Sequence, residues 1–316
     1  MKFILSFLIL FFNINLIAQQ KFSKEISLVT DNDLYVSSIR DRYYTSGIFL
    51  TYRHLAKKEN INLEKLVFEW QIGHKMYTPN KPTVQNILLH DRPFAAYLYG
   101  SLNIKRVYIK NQILSTSIQI GSIGPSAKGN ELQNALHKLY DFREVTGWKY
   151  QIKNAFGFNL GLEYIKFMTK SSNNKLDVSW MNTLNLGTVF SDLSTGINLR
   201  LSFKPLQKIA NSIVFKTNLN NTNTKYKREI ESFFYFKPAL RYALYDATLQ
   251  GSFLSTNNAV TKELIPFVFD MELGFKFTAN RFNFGYIFNY NTSKSKGLKY
   301  TYGNKYGTII INYLMH

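Results

Sequence analysis

Between two alternating apolar runs lies the stretch DNDLYVSSIRDRYYTSG, Asp31 to Gly47. It crowds Asp31, Asp33 and Asp41 with Arg40, Arg42 and three tyrosines. Hard oxygen donors of this kind suit a divalent cation such as calcium. They equally suit an ordinary solvated loop. Further along, "GPSAKGNELQNALHKLYDF" carries His137, with Gln133 and Asp141 four residues to either side. If this segment is helical, the three share one face. An imidazole there can act as a general base near neutral pH. A lone surface histidine is more often inert, so its context has to decide.

That context is a chain of 316 residues, 45% hydrophobic and 16% aromatic, with a formal net charge of +19. It holds no cysteine. Disulfides, thiolate metal sites and cysteine nucleophiles are therefore excluded. The basic balance suits an anionic partner, either nucleic acid or an anionic membrane surface. The opening "MKFILSFLILFFNINLIAQQ" has Lys2, a short apolar core and Ala18 near a plausible cleavage point. It reads as a signal peptide over 1–19, which leaves 20–316 as one domain. Export makes nucleic acid an unsuitable partner and an envelope lipid an attractive one.

Past residue 20 the chain alternates with a period of two. In "RFNFGYIFNYN" Phe282, Phe284, Tyr286, Phe288 and Tyr290 share one phase, and Arg281, Asn283, Gly285, Asn289 and Asn291 the other. "DMELGFKF", "STGINLRLSF" and "FGFNLGLEY" repeat the pattern. Each reads as a strand with one oily and one polar, Gly-rich face. A secreted sandwich also alternates. The long strands, the charged second phase and the aromatics at strand ends favour a membrane barrel, which satisfies every backbone group in lipid.

The predicted fold class is thus all-β: a transmembrane antiparallel barrel. Candidate strands fall at 23–31, 44–55, 62–75, 94–108, 112–123, 150–168, 174–190, 194–204, 232–246, 248–256, 264–279, 281–291 and 302–313. Bacterial barrels favour even numbers. The short 248–256 segment is therefore expected to drop out and leave twelve strands. Segment 205–231, rich in Asn, Thr and Lys, reads as a mobile loop and groups with the long loops, which are extracellular in such barrels. The stripe Leu132, Ala135, Leu136 and Leu139 predicts a short helix in another long loop, packed on the barrel mouth, with His137 off the stripe. Parity along "YYTSGIFLTYR" puts Ser46, Ile48, Leu50 and Tyr52 outward. The same count sends Thr45 inward, facing the same lumen as Asp31 and Asp33.

Three segments in order, "DNDLYVSSIRDRYYTSG", "HDRPFAAYLYGSL" and "GSIGPSAKGNELQNALHKLYDFREVTGWKYQ", resemble the outer-membrane lipid A 3′-O-deacylase family. The resemblance implies a twelve-stranded barrel that removes the 3′-linked acyloxyacyl group of lipid A with the help of Ca2+. The family's Asn-Asp pair aligns with Asn32 and Asp33, and Asp33 is the implied metal ligand. Its Tyr-Thr-x-Gly motif aligns with Tyr44 to Gly47 and marks Thr45. Its histidine aligns with His137. Lys81 and Arg92 fall in the loop that meets the sugar-acid headgroup. No strand-turn-helix elbow surrounds Thr45, so its hydroxyl is assigned to positioning and not to nucleophilic attack. The implied partners are lipopolysaccharide and the outer membrane, for a monomer that binds no nucleic acid. The alternatives are an inert structural or pore-forming barrel and a barrel phospholipase. The chain ends "NYLMH" in place of the usual terminal aromatic.

Overall fold

Alternation with a period of two closes the chain into a ring. A computed structural model describes residues 21–36, 42–58, 60–81, 86–139, 141, 144–220 and 230–316. The expected signal peptide lies outside the described residues. Twelve strands form one closed antiparallel barrel in which each pairs with its sequence neighbours and β1 (Lys24–Asn32) pairs with β12 (Asn304–Met315). Between them run β2 (Tyr43–Ala56), β3 (Leu63–Thr78), β4 (Ala95–Tyr108), β5 (Gln112–Ile123), β6 (Ala155–Lys170), β7 (Leu176–Gly187), β8 (Phe190–Leu201), β9 (Ser232–Asp246), β10 (Phe267–Ala279) and β11 (Phe282–Asn291). The expected count holds, and the segment 248–256 does drop out. It opens as the four-residue helix Ala247–Gln250, capped by Asp246, whose carboxylate accepts from the Thr248 amide.

The oily phase faces lipid. Across β1 to β6 the residues Leu28, Leu50, Ile72, Ile120 and Phe158 project outward in one register row. The polar phase fills the lumen. Near one end Arg53 bridges the buried carboxylates of Glu25 and Glu69. Further along the lumen Arg241 grips Asp270 and Lys237 meets Glu272. Charges in a membrane protein are confined to such a lined interior because hydrocarbon cannot solvate them.

The two ends of the barrel differ. One carries the short turns at 57–62, 109–111, 171–175 and 280–281, together with the start of β1 and the end of β12. The other carries the connections at 33–42, 79–94, 124–154 and 247–266 and is the extracellular end. This topology corrects the reading of 205–231. The β8–β9 connection belongs to the short-turn end, and its described part, up to Asn220, is folded into the lumen. Lys65 donates its ammonium to the Ala210 and Thr217 carbonyls and to Asn211 Oδ1 at 2.6–2.7 Å. Lys105 donates to the Phe215 carbonyl at 2.7 Å. Ile209, Ala210 and Phe215 pack on Val107, Ile113 and Ile165 of the wall. The Asn- and Lys-rich composition is a plug in place of an extracellular loop, because cationic side chains of distant strands satisfy its backbone.

Candidate active site on the outer wall

At the extracellular end of β2, two tyrosines decide where Thr45 points. The β2–β3 register pairs Tyr44 with Tyr77 and Ser46 with Met76, so Thr45 is the extra residue of a β-bulge. Tyr44 turns into the lumen, where its hydroxyl donates to Asp31 Oδ2 at 2.6 Å and Thr308 donates to Oδ1 at 2.6 Å. Gly47 makes room for it, since a Cβ there would meet the Tyr44 hydroxyl. Tyr43 takes a left-handed φ of 63°. Its hydroxyl donates to Asp91 Oδ2 at 2.9 Å, and the Asn80 and Lys299 amides also donate to that carboxylate. Asp91 thereby ties two extracellular connections, 79–94 and 292–303, to the strained residue.

The outcome is that Thr45 faces outward. Its hydroxyl lies 2.7 Å from that of Thr78, which shares the outward phase of Met76. Parity counted from Ile48 sends Thr45 into the lumen. The inserted residue reverses that count and corrects it. A glycine within a strand pattern is the sequence sign of such a bulge, and Gly47 was that sign.

Asn32 ends β1 on the outward phase, paired with Ser46. Its Oδ1 accepts the Leu34 amide proton at 2.7 Å and caps the 3-10 turn Asp33–Tyr35. This use of Oδ1 assigns Nδ2 as the group that can donate to a substrate. Asp33 is buried, and its Oδ2 accepts the Arg42 amide proton at 2.7 Å, which closes the loop. The lumenal carboxylate of the pair is Asp31, and Asp33 belongs to the turn.

The helix α1 (Gly129–Leu139) lies against the outer wall, and not on the barrel mouth as the stripe suggested. Leu132 and Leu136 pack against Met76, Ala96 and Trp148. Gly129 allows the close approach, because a Cβ there would strike both Ala96 and the Trp148 ring. Two polar contacts fix the position. His74 Nε2 donates to the Ala127 carbonyl at 2.7 Å, and Trp148 Nε1 donates to Gln133 Oε1 at 2.7 Å.

Between helix and wall lies a cavity of about 330 Å3 whose lining includes Asn32, Thr45, Ser46, Gln133, Leu136 and His137. Three of the predicted site residues thus meet, and Gln133 shares the His137 face as the spacing required. Asp141 does not join them. It lies past the helix end with a left-handed φ of 56°. Nor does Arg92 line this cavity. It is buried, donates to the Thr248 carbonyl at 3.0 Å and stacks over Tyr77. Lys81 is exposed in the same connection and does not line the cavity either. Sequence reasoning missed Thr78, Met76 and the His74–Ala127 contact, because outward positions on a barrel strand look like lipid-facing wall.

The fit to a metal can be judged from the donors. Asp33, Asn32, Thr45 and the turn carbonyls are all oxygen donors, as calcium requires. Among the described residues no three His, Cys, Asp or Glu side chains cluster. A calcium ion at this turn would take Asp33 as its charged donor and carbonyl and hydroxyl oxygens for the rest.

Comparison with known proteins agrees with this architecture. The structure of LpxR from Salmonella typhimurium superposes with a TM-score of 0.71 at 19% identity, covering 92% of this chain and 99% of that one. More distant barrels include the β domain of the Bordetella autotransporter BrkA, at 0.46 and 9% identity over 94% and 100% of the two chains. The translocator domain of NalP from Neisseria meningitidis is another, at 0.43 and 13% identity over 92% and 88%. No curated protein matches the chain in sequence. The model of the family described as outer membrane protein LpxR matches residues 3–315, so the chain belongs to the LpxR family and resides in the bacterial outer membrane.

Proposed function

We propose that this barrel hydrolyses the 3′-linked acyloxyacyl ester of lipid A on its outer wall. The observation that carries the reading is that Asn32, Thr45 and His137 line one cavity between α1 and the outer wall, at the extracellular end of β2. A lipid ester can enter it without leaving the membrane. An imidazole nitrogen of His137 takes the proton of the attacking water. Asn32 Nδ2 donates to the oxyanion that develops on the carbonyl oxygen, a contribution of about 10²–10³ in rate for one preorganised donor. The Thr45 hydroxyl, held by Thr78, orients the water. The His137 imidazolium then returns the proton to the departing sugar oxygen. Asp33 with oxygens of its turn would hold a calcium ion, which when bound would supply electrophilic assistance to the ester carbonyl. A plug at the short-turn end of the lumen supports this reading over that of a pore.

The test is mass spectrometry of lipid A and of phospholipid from cells with and without the expressed chain. The expected result is a lipid A population lighter by its 3′ acyloxyacyl unit, with phospholipid unchanged. Purified protein should lose turnover in chelator and regain it with added calcium. Unchanged lipid A, with the barrel folded in the outer membrane, would contradict the proposal, and loss of phospholipid acyl chains would replace lipid A by a glycerolipid. Full turnover in chelator would remove the metal from the account.

A further inference from the structure

Below the cavity, the outer wall continues as a series of register rows. The uppermost holds Asn32, Ser46, Met76 and Ala96, and the next holds Thr30, Ile48, His74 and Leu98. The third is Leu28, Leu50, Ile72, Gly100 and Ile120. Every position of that row is bulky and apolar except Gly100. Glycine weakens a strand interior, and its presence there often marks the close approach of a ligand. No turn or packing contact requires it here. A Cβ on Gly100 would meet nothing within 4 Å. The missing side chain deepens a groove of about 940 Å3 whose rim includes Leu50, Trp70, Ile72, Ile118 and Ile120.

We infer that this groove, with Gly100 as its floor, is the site that holds the hydrocarbon chain of the substrate and selects it by length. The inference rests on the deacylase reading for the identity of the lipid. The groove adjoins the cavity along β2: Ile48 lines the cavity, and Leu50, the next outward residue, lines the groove. Ser46 to Leu50 spans four residues, or about 13 Å of strand. An ester carbonyl held at Asn32 and His137 therefore places the middle of a long acyl chain in the notch, while a short chain ends above it. Bulk lipid has no reason to prefer this depression, whereas a chain tethered at the cavity is delivered to it.

Gly100→Leu tests the assignment and should fold, because the new side chain projects into open, lipid-facing space between two isoleucines. Lipid A analogues that differ only in the length of the 3′ acyl chains are the substrates. The variant should lose about tenfold or more in kcat/KM on the longest chain relative to the shortest, as expected where a pocket discriminates methylenes. An identical length profile in wild type and variant would overturn the groove. A second measurement needs no turnover. In chelator, in a Trp180→Phe background, Trp70 is the tryptophan that faces lipid, Trp148 being buried under α1. In nanodiscs, long-chain brominated lipid A should quench Trp70 more than the same fraction of brominated phosphatidylglycerol, and Gly100→Leu should remove the excess. Equal quenching by the two lipids in the wild-type background would refute the groove. Preferential quenching in chelator, with no hydrolysis after calcium is restored, would uphold the groove and instead contradict the deacylase reading.

Discussion

The lumen and the outer wall of this barrel present two contrasting polar regions. The lumen is rich in titratable groups: Lys75, Lys237, Lys294, Asp31 and Glu272 all line its central cavity, of about 550 Å3. Burial, with Arg241 and Lys75 nearby, pushes the Lys294 ammonium down to about 8. Perturbed groups in a large cavity are the usual sign of an active site. The outer-wall cavity is smaller and mostly apolar, and it holds a single histidine. Yet Asn32, Thr45 and His137, one residue from each of the three motifs, gather there. The difference is one of access. A lumen closed by a plug serves solvation and stability, while an ester in the leaflet reaches the wall directly.

The largest effect that would break this contrast is expected at His137. His137→Gln should lower turnover by about 10²–10⁴-fold, the range for loss of a positioned base, with the barrel still folded by heat-modifiable gel mobility. His54→Gln is the control. His54 sits at the far end of β2, stacked between Tyr52 and Phe68. His90 would serve less well, being buried against Phe94 and Tyr150. Near-normal turnover in His137→Gln would end the assignment of the base.

Asn32→Ala should follow, with kcat reduced about 10²–10³-fold through loss of an oxyanion donor. Because Asn32 also caps its turn, Asn32→Asp provides the sharper variant. It retains an Oδ1 cap but offers no amide donor. Activity in Asn32→Asp close to wild type would assign Asn32 to the turn and not to the oxyanion.

The smallest effect on activity, and a large one on stability, is expected at the plug. Arg200 is fully buried and donates to Asp177, to Ser212 and to the Gln207 carbonyl. Arg200→Met leaves Asp177 and Glu231 buried without their cation, a change that costs about 3–5 kcal/mol. The urea midpoint should fall while kcat per folded molecule stays constant. A matching loss of kcat would couple lumen and wall, which this account keeps apart.

Much of this arrangement was legible in the chain. Alternation in "RFNFGYIFNYN" and its counterparts gave strands, faces and the even count, because lipid and water impose opposite chemistry on alternate residues. The 132–139 stripe gave the helix, and the motifs gave Asn32, Thr45 and His137 as partners. What parity could not give was the side of the wall. A bulge inserts one residue, and only the pairing partner, here Tyr77 followed by Met76, reveals it. Met76 and Ala96, covered by the helix, look in sequence like any lipid-facing pair. The plug was misread because its backbone partners, Lys65 and Lys105, lie more than a hundred residues away in the chain.

Chemistry on the wall and not in the lumen is open to a direct test. The native chain holds no cysteine, so single thiols can be placed on either side. Ile48→Cys puts one in the wall cavity, and Lys294→Cys puts one in the lumen. Each variant is labelled to completion with the same bulky maleimide, and lipid A hydrolysis is measured before and after. The account predicts that labelling abolishes turnover at Ile48→Cys and leaves it intact at Lys294→Cys. Loss at Lys294→Cys with activity preserved at Ile48→Cys would contradict it.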